Sequence, residues 1–193
     1  MKRPGAHRLS SAERRSRPGL LGWYFRRRYR FVLRQIGSPA GWRVVDLGGG
    51  TGIFADLLLE RGAASVVVIE RRPEACEEGA RLHPDQRIQF VRADLLDRLD
   101  LLAQCDTVTS LRCLHQVGPG VHEIFQAIQK SPARRVVLQG VESLVRRLQP
   151  EHTRELWGPR VAQGSGLVEL VERYGFRAEL RRHPRYPVVI GSR

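Results

Sequence analysis

The chain has 193 residues, 41% of them hydrophobic and 27% charged, and a formal net charge of +13. That length suits one domain with its own core, and no apolar stretch nears the roughly 20 residues of a membrane helix, so a spanning protein is excluded. Three cysteines, Cys76, Cys105 and Cys113, lack the spacing of a disulfide framework or zinc site, so a reducing, cytoplasmic compartment is expected.

Residues 1–19 read as a tail. Pro4-Gly5 and Pro18-Gly19 punctuate it, and serines sit among arginines without apolar periodicity, so it is expected to be disordered. Such a composition also describes an organellar transit peptide, although the prolines break an amphipathic helix there. From Leu20 to Ile36 the pattern is helical: Leu21, Phe25, Tyr29, Val32, Leu33 and Ile36 fall on one face, at spacings of three and four. Arg26, Arg30 and Arg34 stripe another face, either solvated or turned to an anion. Residues 1–43 hold twelve basic side chains and one acid, a net +11, and the remainder carries only +2.

Beyond Trp42, apolar runs alternate with helical patterns. The runs are 43–47, 65–69, 88–91, 107–111 and 135–138; the helices are 54–61, 73–82 and 121–130, with a short turn near 95–102. Strands apolar throughout are buried on both faces, and their alternation with helices predicts a parallel sheet with right-handed crossovers. A helix over 167–174 is then followed by runs at 176–180 and 186–190. Their link is too short for a parallel crossover, so one runs antiparallel. The expectation is a single α/β domain over residues 20–193.

Val44-Val45-Asp46-Leu47-Gly48-Gly49-Gly50-Thr51-Gly52 follows a strand and opens a helix, the setting of a nucleotide-type loop. Glycines let the backbone turn sharply and approach a ligand, and the helix start supplies N–H groups that favour an anion. A dinucleotide fingerprint would need glycine or alanine where Ile53 stands, and no Gly-Lys-Ser/Thr phosphate loop is present. Glu70 ends the second strand, where an acid accepts hydrogen bonds from ribose hydroxyls. Asp94 ends the third. Each acid alone could be a helix cap; three at one sheet edge, beside the glycine loop, point to a ligand.

These residues resemble the class I S-adenosylmethionine-dependent methyltransferases. Asp46-Leu47-Gly48-Gly49-Gly50-Thr51-Gly52 is similar to that family's first motif, and the likeness runs over roughly residues 40–140. It implies a Rossmann-like, doubly wound sheet of seven mostly parallel strands, the last antiparallel. It also implies S-adenosyl-L-methionine as cofactor and S-adenosyl-L-homocysteine as product. Gly48, Gly49, Gly50 and Gly52 would cradle the methionine part, with Asp46 supporting the loop and the amino group. Glu70, with Arg71 beside it, would bind the ribose, and Asp94 with Leu95 the adenine. Ser110, Leu111 and Arg112 would lie beside the methyl group.

The segment after the fourth strand reads Ser110-Leu111-Arg112-Cys113-Leu114-His115. It is neither the Asn/Asp-Pro-Pro-Tyr/Phe motif of base amino methylation nor the Pro-Cys of RNA cytosine-C5 enzymes. Two lysines, Lys2 and Lys130, cannot supply a Lys-Asp-Lys-Glu tetrad, and the acids of a magnesium site are missing, so no metal is expected. His115 is the candidate general base; packing against the N-terminal helix is the other reading. The leading expectation is transfer to a small-molecule acceptor at O, N or C. An RNA acceptor held by residues 1–43, where Trp23-Tyr24-Phe25 adjoins Arg26-Arg27-Arg28, is the alternative. A non-catalytic cofactor-binding homologue is the third.

Overall fold

Valine-rich runs make the strands, because β-branched side chains pack well on a pleated surface. In the computed structural model, which describes residues 20–140, 164–182 and 187–193, helix α1 (Leu20–Ile36) precedes β1 (Arg43–Leu47), α2 (Ile53–Glu60) and β2 (Ser65–Glu70). Then come α3 (Pro73–Leu82), β3 (Ile88–Arg92), a 3₁₀ stretch (Leu96–Gln104), β4 (Thr107–Leu111), α4 (Val121–Lys130) and β5 (Arg135–Gln139). The chain closes with α5 (Gly164–Arg173), β6 (Arg177–Arg181) and β7 (Val188–Ser192). The expected tail and the unread stretch after Gly140 lie outside the described residues.

The seven strands form one sheet in the order β3-β2-β1-β4-β5-β7-β6. β7 pairs antiparallel with both β5 and β6; every other pairing is parallel. The doubly wound architecture and its antiparallel last strand therefore stand as read. β1, β4 and β5 are buried along nearly their whole length. The edge strands are more open: β3 is buried only at Ile88 and Val91, β6 alternates exposed and half-buried positions, and the charges of Arg177-Ala-Glu-Leu-Arg181 blunt an open edge.

Each sheet face has its own core. One gathers Val32 and Leu33 of α1 with Phe54, Leu57 and Leu58 of α2 against β1 and β2. The other gathers Leu101, Leu102, Ile124, Phe125, Ile128 and Leu170 against β1, β4 and β5. The strand order reverses between β1 and β4, so a crevice opens at their carboxyl ends. Open α/β sheets bind ligands at this switch point.

Candidate functional site

A cavity of about 490 Å³ fills that crevice. Of the residues singled out in the sequence, Gly48, Gly49, Gly50, Glu70, Arg71, Asp94, Leu95, Leu111 and Arg112 line it. Asp46, Gly52, Ser110 and His115 are absent from its wall. The structure adds Phe25, Arg28 and Tyr29 from α1, together with Arg72, Cys113 and Gln116.

The loop's shape follows from packing. Gly48 has φ +71, and a Cβ there would run into the Cys113 side chain. Gly49 lies against the Asp46 carboxylate, and a Cβ would meet Asp46 Oδ2 and come within 2.9 Å of Val68. Asp46 thus sits behind the loop and props it. Register sets Asp46 beside Thr109, whose hydroxyl donates to Asp46 Oδ1 at 2.6 Å. Burial pushes the Asp46 carboxyl up to about 6; the Thr109 bond opposes this and nearby Glu70 adds to it. Ser110, also behind the wall, donates to the Leu47 carbonyl at 3.1 Å and ties the ends of β1 and β4 together.

Glu70 faces the cavity with its oxygens engaged. Oε1 accepts from the Arg72 backbone N–H and Nε, both at 3.0 Å. Oε2 accepts from Gly50 N–H at 3.2 Å and Arg72 Nη2 at 3.3 Å. Burial alone would raise this carboxyl, but the Arg72 bonds and charge and the Gly50 N–H hold it below its ordinary value. Asp94 lines the wall while its Oδ1 accepts from Leu96 N–H at 3.1 Å. It therefore caps the following turn as well as facing the cavity.

After β4 the chain passes through Arg112, whose φ is +65, the one positive value at a non-glycine among the described residues. Such a conformation costs about 1–3 kcal/mol and gathers at functional sites. Cys113 lies on the wall, but burial and the neighbouring Glu70 and Asp46 charges push its thiol up to about 12. A thiol so raised is not a nucleophile at neutral pH. His115 is 7% exposed. Burial, then the Arg112 charge, lower it to about 4, so it is neutral at physiological pH.

Arg28 entered the sequence reading only within the Arg26-Arg27-Arg28 run beside Trp23-Tyr24-Phe25, and not as a residue of the cavity. The visible stripe, Arg26, Arg30 and Arg34, excludes it; Arg30 and Arg34 are exposed. Arg28 instead falls with Phe25, Tyr29 and Val32 at i, i+3, i+4 and i+7, on the apolar face. A charge inside an apolar stripe was the signal that could have found it. Its guanidinium stands 4.7 Å from the Phe25 ring centroid and 4.6 Å from that of Tyr29. Tyr29 in turn packs on Phe54 of α2 at 5.6 Å, which seats α1 over the cavity.

Among the described residues no cluster of His, Cys, Asp or Glu is placed to hold a metal ion, and no helix is long and apolar enough to cross a membrane. The cradle suits a nucleoside bearing an amino acid. It offers a glycine loop with no room for a side chain at Gly48, Gly49 or Gly52, a helix start at Ile53, and an acid at the end of β2.

Residues 44–132 match the methyltransferase domain family. With the seven-stranded sheet and the loop at its switch point, that match, over just under half of the chain, makes it similar to the class I S-adenosylmethionine-dependent methyltransferases. It is similar to a ribosomal RNA small subunit methyltransferase A of Methylobacterium radiotolerans, 42% identical over 67 residues. That match covers 34% of this chain and spans only 23% of the relative's length. Among solved structures, it resembles an S-adenosylmethionine-dependent methyltransferase from Mesorhizobium loti (TM-score 0.66, 20% identity, 86% of this chain and 96% of that one). It also resembles 1,6-didemethyltoxoflavin-N1-methyltransferase from Burkholderia thailandensis, solved with bound 1,6-didemethyltoxoflavin and S-adenosylhomocysteine (TM-score 0.61, 21% identity, 86% of this chain and 76% of that one).

Proposed function

We propose that the protein transfers a methyl group from S-adenosylmethionine to a small-molecule acceptor. The observation that carries this is the cover that α1 places over the crevice: Phe25, Arg28 and Tyr29 close one side of a 490 Å³ cavity. A cavity of that size, shared with the cofactor, suits a small acceptor. In this reading Gly48, Gly49 and Gly50 hold the methionine part, Glu70 the ribose, and Asp94 with Leu95 the adenine. Asp46 acts through the loop.

When bound, the cofactor supplies a methyl group on a positively charged sulfur. The acceptor's lone pair would take that methyl group, and Gly48, Gly49, Gly50, Glu70 and Asp94 would hold the donor in line with it. The protein's share is to align the two and exclude water. His115, neutral and off the cavity wall, serves this reading by packing the turn that carries Arg112.

A second reading, RNA as acceptor, has its own observation. Trp23 is 57% exposed, Arg27 stands 5.2 Å over its ring, and Arg30 and Arg34 are exposed on the same helix. Aromatic and arginine side chains together suit a single strand.

The test is direct. S-adenosylhomocysteine should raise the melting temperature, and Gly50→Arg, which fills the cradle, should remove the shift. Labelled methyl should then pass to a metabolite fraction and not to RNA. Label in RNA would favour the second reading. Cofactor binding without transfer to either would favour a non-catalytic homologue.

A further inference from the structure

A second cavity, of about 450 Å³, lies between α1, the start of α2 and the end of α3. It shares only Ile53 with the cavity at the switch point. His83 stands on its wall, and a Cβ at Gly52 would lie 3.6 Å from the His83 ring, so the space backs onto the end of the glycine loop. Its volume suits a small molecule.

Opposite charges face this space without meeting. Arg26 of α1 and Asp56 of α2 both border it. Asp56 pairs with His83, and Arg26 has no ion pair among the described residues. Asp85, also on the wall, is already engaged, because Arg87 Nη2 donates to its Oδ2 at 2.6 Å. A ligand of one sign would satisfy either Arg26 or Asp56 and oppose the other; a zwitterion satisfies both.

His83 supplies the second observation. Its side chain is 7% exposed, and its Nδ1 stands 3.4 Å from Asp56 Oδ2. That carboxylate assigns the ring proton to Nδ1 and leaves Nε2 as an acceptor. Nε2 is buried and has no hydrogen-bond partner. A buried acceptor without a donor is costly and calls for one. An ammonium carries three donors, enough for His83 and Asp56 together. The rest of the wall is Ile53, Leu82 and Pro84, which suit an apolar remainder.

We propose that this cavity binds the zwitterion of an apolar amino acid, independently of the methyltransferase reading. Its ammonium lies at Asp56 and His83, its carboxylate at Arg26, and its side chain against Ile53, Leu82 and Pro84.

Calorimetry on the full chain, with S-adenosylhomocysteine present throughout to fill the first cavity, would compare four probes. They are L-leucine, glycine, 4-methylpentanoate, which is leucine without its ammonium, and 3-methylbutylamine, which is leucine without its carboxylate. L-Leucine should bind at least about tenfold more tightly than either half, the worth of one charged hydrogen bond, and more tightly than glycine, which leaves the apolar wall open. Arg26→Met should cost L-leucine about tenfold and leave 3-methylbutylamine within about twofold. Asp56→Asn, which keeps an oxygen for His83, should cost L-leucine about tenfold and leave 4-methylpentanoate within about twofold. No binding of L-leucine to the wild type at about 10 mM overturns the inference. So does glycine or either half binding as tightly as L-leucine. Undiminished L-leucine affinity in Arg26→Met overturns it too, by placing the amino acid elsewhere.

Discussion

Glu70 shows how one side chain can be ready for a ligand and already occupied. A carboxylate has about four lone-pair sites. Four donors fill them here: two backbone N–H groups, from Gly50 and Arg72, and the Nε and Nη2 N–H groups of the Arg72 guanidinium. Ribose hydroxyls can reach Glu70 only by displacing the guanidinium, because the backbone donors are fixed. The Arg72 side chain is 46% exposed, and an ion pair so open to solvent contributes at most about 1 kcal/mol. Arg72→Ala keeps both backbone donors and removes the competitor. It should bind S-adenosylhomocysteine up to about fivefold more tightly by calorimetry. Weaker binding would mean that Arg72 stays and contacts the cofactor itself. None of this was legible beforehand. The sequence marks Glu70 by its place at a strand end, but a neighbour two residues on reveals nothing about which way its side chain turns.

At the scale of elements, α1 decides whether the crevice is an open groove or a room. Its hold on the domain is apolar: Val32 and Leu33 are buried with Phe54, Leu57 and Leu58 of α2. Leu33 is 2% exposed, so Leu33→Ala should cost about 2–5 kcal/mol of unfolding free energy in urea. If α1 is also the acceptor's cover, the same variant should raise the acceptor KM more than it weakens S-adenosylhomocysteine binding. Equal losses in both would make α1 a structural helix only.

The helix itself was plain in the sequence, since its buried face repeats at three and four. So were β1, β4 and β5, whose apolar runs record burial on two faces. The place of Arg28 was hidden by abundance: among 31 arginines, it was read only as one of the run Arg26-Arg27-Arg28 and not as a residue of the apolar face. The start of α5 was hidden for the opposite reason. Gly164 and Gly166 are poor helix formers, so the pattern emerges only at Leu167. Yet Gly164 is required by contact, because a Cβ there would lie 2.9 Å from Leu180 and 3.0 Å from Pro187.

Over the whole molecule, two buried groups near the site set opposite pH responses. Asp46 is raised from about 3.8 to about 6, so the folded state holds its proton more tightly than the unfolded chain does. Its contribution is fully present below about 3.8 and is lost as pH rises through 6. His115 is lowered from about 6.5 to about 4, so the unfolded chain is the better proton acceptor. Its contribution is present above about 6.5 and is lost as pH falls through 4. Each shift corresponds to something on the order of 3 kcal/mol. Between pH 6 and 4 the two oppose each other, and the wild type should show little net change from them. Single variants should expose the hidden slopes. Asp46→Asn still accepts the Thr109 hydroxyl; it should be more stable than the wild type at pH 8 and lose stability steadily towards pH 4. His115→Gln should do the reverse and gain stability over the same range. Urea titrations at pH 4, 5, 6 and 8 would measure both. Parallel profiles in the two variants would show that these groups do not titrate as their burial requires.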